Sequence, residues 1–375
     1  MKNVLQIAFC LTVSFVTTTC ARAGQLLYLS SSTTNSIIAY ELNGDTGALT
    51  RQFTTDLTVS PGPLRISPDE AFLYAAVSGL EGDQAGVATF KRAPNGSLAL
   101  LATARITSGT PYLCTDRQGR YLLACSYGNG DVTVYRIVDG ICTDDLLDRQ
   151  KADLAAHCVE TDPSGRFVYV PCTTPNKLFQ FRLEQSNGKL IPNDPPWLDG
   201  PDTDHEYHEP RHYAHHPHLD ITYTSNEKGG GITAWRFDAR TGKLTQLRTL
   251  STVPPDFEGR SAAADIQITP NGRFAYISNR DVTERSEGEA MQDTLTGVSL
   301  DPSTGAMELI GYFPTAYFPR SFCIDLTGRF VYSAGQRSST LFAYRIDQST
   351  GRLEHFATYE TDGVPLWVTC GHVDP

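Results

Sequence analysis

A short turn phrase recurs through this 375-residue chain at intervals of roughly 45 to 60 residues. Its most regular copy, Asp162–Tyr169, reads Asp-Pro-x-Gly-Arg-aromatic-x-Tyr. Related copies begin at Ser67, Asp116, His216, Thr269 and Asp325. A strand–turn–strand unit repeated at this spacing is typical of the blades of a β-propeller. The repeat therefore predicts an all-β fold in which equivalent blade positions form rings around one axis.

A second repeated element, a glycine-x-apolar turn, gives the number of blades. It follows an alternating strand seven times, at Gly47, Gly96, Gly140, Gly188, Gly242, Gly305 and Gly351. The first phrase is complete only six times, and Leu26–Leu29 with Val364–Val368 can supply the missing copy. We therefore predict one seven-bladed β-propeller over residues 24–375, closed by strands from both termini, which removes exposed sheet edges.

The first 23 residues have the pattern of an export signal. Lys2 precedes an apolar run from Val4 to Val16, and Ala21-Arg22-Ala23 offers a small-x-small cleavage site. The run is too short for a convincing membrane span, and no later segment is long enough. We predict a signal peptide at residues 1–23 and a periplasmic or secreted mature protein that leaves the membrane once the signal is removed.

Charge and cysteine content narrow the partners. The formal net charge of −11 becomes −13 when Lys2 and Arg22 leave with the signal. Such an acidic surface argues against nucleic acid and anionic membranes as partners. As a separate expectation, we predict that the protein is a monomer. Seven cysteines remain in the mature chain, so at least one is unpaired, and their spacing leaves the disulfide pairing open.

Counting from the tyrosine of each turn phrase gives coordinates for a site. Positions −12 and +4 are symmetric about the turn, so they should face each other at one end of the blade if the strands pair without a bulge. Position −12 reads Gly62, Pro111, His157, Arg211, Ala264, Arg320 and Leu366. Position +4 reads Ser32, Ser78, Tyr127, Thr173, Glu227, Arg280 and Gln336.

Ionisable residues at these positions concentrate in blades 3 to 6, counting the Leu64 unit as blade 1. One such residue alone would usually be a surface ion pair. Their recurrence in successive blades predicts that they converge on one mouth of the channel. Arg211, Arg280 and Arg320 suit an anionic ligand, because guanidinium groups bind anions bidentately. His157 and Glu227 can supply general acid–base chemistry.

Other catalytic and metal-binding patterns receive little support. The histidine-rich run between His205 and His218 lacks a spacing that indicates a metal site, so we predict an exposed loop and strand edge with no metal. The chain has no Gly-x-Ser-x-Gly elbow and no glycine-rich phosphate loop. A serine triad is therefore not expected, and neither is a cofactor.

At these residues the chain resembles the bacterial 6-phosphogluconolactonases of the propeller type, a family related to the carboxymuconate-lactonizing enzymes. The resemblance runs from Leu27 to His372. Glu209 departs from it, since the family commonly has glycine before the proline of this motif. The most specific matching motifs are Ser126-Tyr127, Pro210-Arg211-His212, Ser225-Asn226-Glu227, Ala263-Ala264-Asp265-Ile266, Asn279-Arg280, Pro319-Arg320-Ser321-Phe322 and Ala334-Gly335-Gln336-Arg337-Ser338.

The resemblance implies an enzyme that hydrolyses a sugar lactone such as 6-phosphogluconolactone to the open-chain acid by metal-free acid–base catalysis. Matched to the histidine, glutamate and two arginines proposed for the lactonizing relatives, the catalytic residues are His157, Glu227, Arg211 and Arg280. The expected partner is a small anionic lactone, bound by Arg320, Tyr127 and Gln336. The base, either His157 or Glu227, and the direction of reaction stay open. Because 6-phosphogluconolactone is made in the cytoplasm, an export signal favours a different lactone.

Three alternatives remain. The same site could close a lactone ring on an organic acid, in a lactonizing or cycloisomerase reaction. The arginines could instead form a non-catalytic anion-binding propeller, which would show saturable binding without turnover. A quinone-dependent oxidoreductase ranks last, because the chain has only three tryptophans and no cofactor-binding signature.

Overall fold

The computed structural model describes residues 24–204, 207–286 and 289–373, so the predicted signal peptide lies outside the described residues. Its 28 strands form seven antiparallel units of four strands. The chain starts with three strands of blade 7, which are β1 (Gly24–Ser31), β2 (Ser36–Leu42) and β3 (Leu49–Asp56). Within the described ranges, no helix has the length and hydropathy that crossing a bilayer requires.

Blades 1 to 3 follow in sequence order, each beginning at its innermost strand. Blade 1 contains β4 (Ser60–Ile66), β5 (Phe72–Leu80), β6 (Gln84–Arg92) and β7 (Leu98–Arg105). Blade 2 contains β8 (Leu113–Thr115), β9 (Tyr121–Cys125), β10 (Asp131–Val138) and β11 (Ile141–Lys151). Blade 3 contains β12 (Glu160–Thr161), β13 (Phe167–Cys172), β14 (Lys177–Glu184) and β15 (Lys189–Asp199).

Blades 4 to 6 and the last strand complete the ring. Blade 4 contains β16 (His208–His215), β17 (Ile221–Lys228), β18 (Gly231–Phe237) and β19 (Leu244–Ser251). Blade 5 contains β20 (Ser261–Ile268), β21 (Phe274–Asp281), β22 (Thr294–Leu300) and β23 (Met307–Pro314). Blade 6 contains β24 (Pro319–Ile324), β25 (Phe330–Gly335), β26 (Thr340–Ile346) and β27 (Leu353–Glu360), and β28 (Pro365–Val373) is the innermost strand of blade 7.

The two termini close the ring, as predicted. Strand β1 pairs with β2 on one side and with β28 on the other, with Gly24 opposite Val373 and Leu29 opposite Val368. Blade 7 therefore takes its innermost strand from one end of the chain and its other three from the opposite end. Closure in this form removes the free edges that an open array would expose.

The two repeated phrases are linked by a hydrogen bond between neighbouring blades. The phrase tyrosine of one blade donates its hydroxyl to the carbonyl of the glycine turn in the next, as Tyr169 does to Gly242 at 2.6 Å. Blade 2 has Leu123 at this position, and there Tyr121 donates to Gln185 instead. The same bond joins Tyr28 to Gly96, Tyr74 to Gly140, Tyr223 to Gly305, Tyr276 to Gly351 and Tyr332 to Gly47. The repeats thus mark the points where blades attach to each other.

The hydrophobic core lies between the faces of adjacent blades. One cluster combines Leu123 and Val134 of blade 2 with Val168 and Phe181 of blade 3. Another combines strands of blades 7 and 1 in the same way. Each blade therefore buries an apolar face against both neighbours, and the packing holds the innermost strands in a ring around the axis.

One proline-rich segment forms a strand. The sequence from Pro192 to Pro210 is polar and rich in proline, as loops often are, yet β15 continues to Asp199 as the outermost strand of blade 3. An outermost strand tolerates proline, because its outward N–H groups need no partner in the sheet. A charged stretch of sequence separates β21, which ends at Asp281, from β22, which begins at Thr294.

Candidate functional site

One cavity of about 260 Å³ opens at the end of the channel where the −12 positions meet. Five −12 residues line it, contributed by blades 2, 3, 4, 6 and 7, together with the +4 residue Gln336. Its apolar side comes from blades 7, 1 and 2, and its polar side, which carries two arginines, comes from blades 3, 4 and 6. The lining residues are Pro63, Pro111, His157, Arg211, Arg320, Gln336, Leu366 and Trp367.

The assumption of continuous pairing at the −12 positions is wrong. Pro210 pairs with Asn226 and His212 with Ser225, so Arg211 is an extra residue at a bulge. Equivalent register shifts occur in blades 1, 5, 6 and 7. A bulge re-aims side chains where a strand ends. It brings both position −12 and position −11 to the axis, and the ends of the two strands still lie together.

The backbone before the site is strained in three blades. Ala155, Glu209 and Phe318 have φ angles of 58°, 67° and 64°, in the left-handed region that favours glycine. Each stands two residues before His157, Arg211 or Arg320 and costs roughly 1–2 kcal/mol. Glu209 occupies the place where the resembling family commonly has glycine, so its backbone conformation is retained in spite of the substitution. Strain of this kind is typical of functional sites.

Glu227 links the arginines of blades 4 and 5. Its Oε1 accepts a hydrogen bond from Arg280 Nη2 at 2.6 Å and lies 3.6 Å from Arg211 Nε. Burial alone would raise the pKa of the Glu227 carboxyl, but the charges of Arg211, Arg280 and Arg320 outweigh it and lower that pKa. Glu227 is therefore ionised near neutral pH and fixed between two guanidinium groups.

His157 is buried and neutral. Burial lowers the pKa of its imidazole well below the usual value, and the neighbouring charges of Arg211 and Arg320 lower it further. Its Nε2 lies 3.3 Å from Arg320 Nη2, and its buried Nδ1 has no hydrogen-bond partner among the described residues. Because an arginine can only donate, Nε2 carries the lone pair and Nδ1 the proton.

Sequence reasoning missed a buried pair behind Arg211. His212 Nδ1 lies 2.9 Å from Asp265 Oδ1, and His212 Nε2 lies 3.1 Å from Arg211 Nη1. Burial and the Arg211 charge lower the pKa of His212 to about 4, although Asp265 acts to raise it. Both His212 and Asp265 occupy position −11. Examining position −11 of the repeat, one residue after the −12 position, could have found them.

An aromatic layer lies against this pair. The ring of Tyr112 meets His212 and Trp367 edge-on, with centroids 5.2 and 5.3 Å away. Its hydroxyl donates to Glu160 Oε1 at 3.2 Å, and Glu160 is paired with Arg65 at 2.6 Å. Glu160 and Arg65 occupy position −9, further along the innermost strands. Tyr112 thus separates the cavity from an ion pair deeper in the channel.

Tyr127 lies at the rim of the cavity, whereas the histidine-rich run is not the exposed segment that the sequence predicts, because His212 and His216 are buried. Tyr127 is 48% exposed, and its ring stands edge-on to His157 at 5.7 Å. Within the histidine-rich run, His205 lies outside the described residues, and His216 Nδ1 accepts the backbone N–H of Leu219 at 3.0 Å. The described part of the chain contains no group of three or more His, Cys, Asp and Glu side chains that could hold a metal ion.

Comparison with known proteins identifies the family. Residues 25–370 match the family model described as Lactonase, 7-bladed beta-propeller. The chain belongs to this lactonase family. The 6-phosphogluconolactonase of Serratia proteamaculans is 33% identical to this lactonase over 348 residues, covering 92% of this chain and 98% of the relative. That of Pectobacterium carotovorum is 32% identical over 346 residues, with the same coverage.

Solved structures share the fold of this lactonase. The periplasmic gluconolactonase of Pseudomonas aeruginosa superposes with a TM-score of 0.82 at 22% identity, covering 94% of this chain and 100% of that one. A Lactobacillus plantarum protein gives a TM-score of 0.79 at 22% identity, covering 93% and 99%. As a member of an enzyme family, the chain is a hydrolase of cyclic esters, which argues against the non-catalytic and quinone-dependent alternatives.

Proposed function

We propose that this lactonase hydrolyses a single-ring sugar lactone to its open-chain acid in the cavity lined by His157, Arg211 and Arg320. The observation that carries the proposal is the convergence of these side chains on one small cavity. Its volume of about 260 Å³ lies just below the roughly 300–1,000 Å³ of pockets for drug-sized ligands. The cavity therefore suits a ligand the size of a single sugar ring. The names of the curated relatives support a 6-phosphogluconolactone-like substrate.

The charges around the cavity favour an anionic substrate. Arg211, Arg280 and Arg320 face the carboxylates of Glu227 and Asp265, which leaves a surplus of one positive charge. Arg211 and Arg280 are each paired with Glu227. Within the described residues, the hydrogen-bond partner of Arg320 is the neutral His157. Arg320 is therefore the guanidinium best placed to bind a carboxylate, a phosphate or the lactone carbonyl.

In the proposed mechanism His157 is the base and water is the nucleophile. Arg320 moves its hydrogen bond from His157 Nε2 to the lactone carbonyl oxygen, which frees the Nε2 lone pair. His157 Nε2 then takes a proton as the water oxygen attacks the carbonyl carbon. The arginines stabilise the oxyanion. The bond from the carbonyl carbon to the ring oxygen breaks, the imidazolium returns its proton to that oxygen, and the products are a carboxylic acid and a hydroxyl group.

The position of His157 favours it over Glu227 as the base. His157 lines the cavity, whereas Glu227 is not among the lining residues and already accepts a hydrogen bond from Arg280. Its role in the scheme is to fix Arg211 and Arg280. The cationic surroundings of His157 make its imidazolium a strong acid, which favours proton transfer to the leaving oxygen. No step requires a metal or an organic cofactor.

A substrate panel tests the proposed activity. Purified mature protein is assayed in a pH-stat with glucono-δ-lactone, 6-phosphogluconolactone and a muconolactone, against spontaneous hydrolysis in buffer. We expect acid release above the spontaneous rate with at least one of the two hexose lactones, and kcat/KM values that rank the phosphorylated and unphosphorylated forms. Turnover of the muconolactone alone, or of none of the three, would contradict the proposal.

We also propose that the protein is exported and that its mature chain begins at Gly24. The apolar run from Val4 to Val16 and the small-x-small site Ala21-Arg22-Ala23 support the proposal. We expect the protein in the periplasmic or secreted fraction with Gly24 as its first residue, measured by N-terminal sequencing. Leu11→Arg, which interrupts the apolar run, should retain the precursor in the cytoplasm, whereas the control Asn3→Lys should not. Uncleaved wild-type chain in the cytoplasm would refute export.

A further inference from the structure

We infer that Cys323 and Cys370 form a disulfide bond in the exported protein. Their Sγ atoms lie 3.4 Å apart as free thiols. A disulfide needs about 2.05 Å, so the two sulfurs must approach by little more than roughly 1.3 Å. Disulfides persist in the periplasm and outside the cell, and the inference therefore rests on the proposed export.

The two cysteines lie on innermost strands of neighbouring blades. Cys323 is in β24 of blade 6, opposite Tyr332, and Cys370 is in β28 of blade 7, opposite Leu27. Strands β24 and β28 belong to different sheets and meet through an apolar cluster that includes Tyr332 and Leu27. A bond between them would tie the last strand of the ring to blade 6. That strand also supplies Leu366 and Trp367 to the cavity.

The other cysteines are placed differently. Among the seven cysteines in the described residues, Cys370 alone is partly exposed, and the rest are buried. The thiols of Cys114, Cys142 and Cys172 donate to oxygen atoms in their own surroundings. A pairing of Cys323 with Cys370 leaves five cysteines reduced. This agrees with the odd number of cysteines in the mature chain, which requires at least one to be unpaired.

The exposure of Cys370 defines the order of the chemistry. The Cys370 thiolate attacks the disulfide of an oxidant, either a thiol–disulfide oxidoreductase or a small-molecule disulfide. The S–S bond of the oxidant breaks, one of its sulfurs leaves as a thiolate, and the other forms a mixed disulfide with Cys370. The Cys323 thiolate then attacks the Cys370 sulfur and displaces the oxidant in its reduced form. The two protein thiols lose two protons and two electrons, and the oxidant accepts both electrons. Because Cys323 is buried once the ring is closed, this second step takes place while β28 docks against blade 6.

Thermal unfolding measures the effect of the bond. The pair is 47 residues apart, so a cross-link closes a long loop and restricts the unfolded chain. We expect the wild-type Tm to fall by roughly 5 °C when reductant is added. Cys323→Ala and Cys370→Ser should each abolish the response to reductant. The control Cys125→Ala, at another buried cysteine, should keep it.

Mass spectrometry tests the bond directly. Mature protein is alkylated under denaturing conditions without reductant and digested. We expect one cross-linked pair of peptides, containing Cys323 and Cys370, and alkylation at the other five cysteines. Alkylation of both Cys323 and Cys370 would overturn the inference.

A second arm separates this inference from the export proposal. Reduced, purified protein is unfolded and refolded in oxidised and reduced glutathione, which needs no export. We expect the same cross-link there. If the refolded protein lacks the cross-link, the pairing of Cys323 with Cys370 is overturned. If the refolded protein has the cross-link but protein isolated from cells has free thiols, the formation of the bond in the exported protein is overturned.

Discussion

Replacing His157 by asparagine is expected to lower the kcat of lactone hydrolysis by roughly 100- to 10,000-fold, the contribution of a general base. KM should change by less than about threefold, since the guanidinium groups that bind the substrate remain. Asparagine keeps a polar group in the buried position but cannot take a proton from water near neutral pH. Initial rates in the pH-stat give both constants, and a thermal melt establishes that the variant is folded.

The control for this prediction is His355→Asn. His355 lies on the exposed outer strand β27, so its replacement should leave kcat and KM unchanged. The wild-type pH profile gives a second readout. Because the pKa of His157 is held well below its usual value, its neutral, basic form is fully populated at neutral pH and is lost only in acid. We expect kcat/KM to be constant between about pH 6 and 8 and to fall at lower pH. Wild-type turnover in His157→Asn would refute His157 as the base.

The sequence predicts the blades well because the residues that repeat are the ones that form the contacts between blades. Tyr169 and Gly242 lie far apart in the chain, yet each repeats at a fixed place because the hydrogen bond between them recurs around the ring. The same register places His157 and Arg211 at one cavity, since equivalent positions in a closed ring lie at the same height on the axis.

The sequence predicts the details of the site less well because they depend on where strand pairing breaks. No residue type marks the bulge at Arg211 or the equivalent one in blade 5, and these two bulges bring His212 and Asp265 to the axis beside Arg211. The contact between Cys323 and Cys370 cannot be read from their spacing either, because it arises between two blades and not within one. These features follow from how seven sheets converge on one axis.

His212 supplies a prediction that separates positioning from packing. It accepts from Arg211 through Nε2 and bonds Asp265 through Nδ1, so two substitutions can each keep one contact. In His212→Gln the side-chain oxygen can reach the Nε2 position and accept from Arg211. In His212→Asn the amide can donate to Asp265, but the acceptor for Arg211 is lost. A hydrogen bond to a charged group contributes about 1.5–3 kcal/mol.

We therefore expect His212→Asn to lower kcat/KM by roughly 10- to 100-fold and His212→Gln to stay within about threefold of the wild type, although both disturb the packing beside Tyr112. Rates across the substrate panel and melting temperatures should be measured on the same preparations. Equal losses of kcat/KM in the two variants, in proportion to their melting temperatures, would mean that His212 only fills space. A loss confined to His212→Asn at matched melting temperature would mean that the hydrogen bond that His212 accepts from Arg211, and with it the orientation of the Arg211 guanidinium, is required for catalysis.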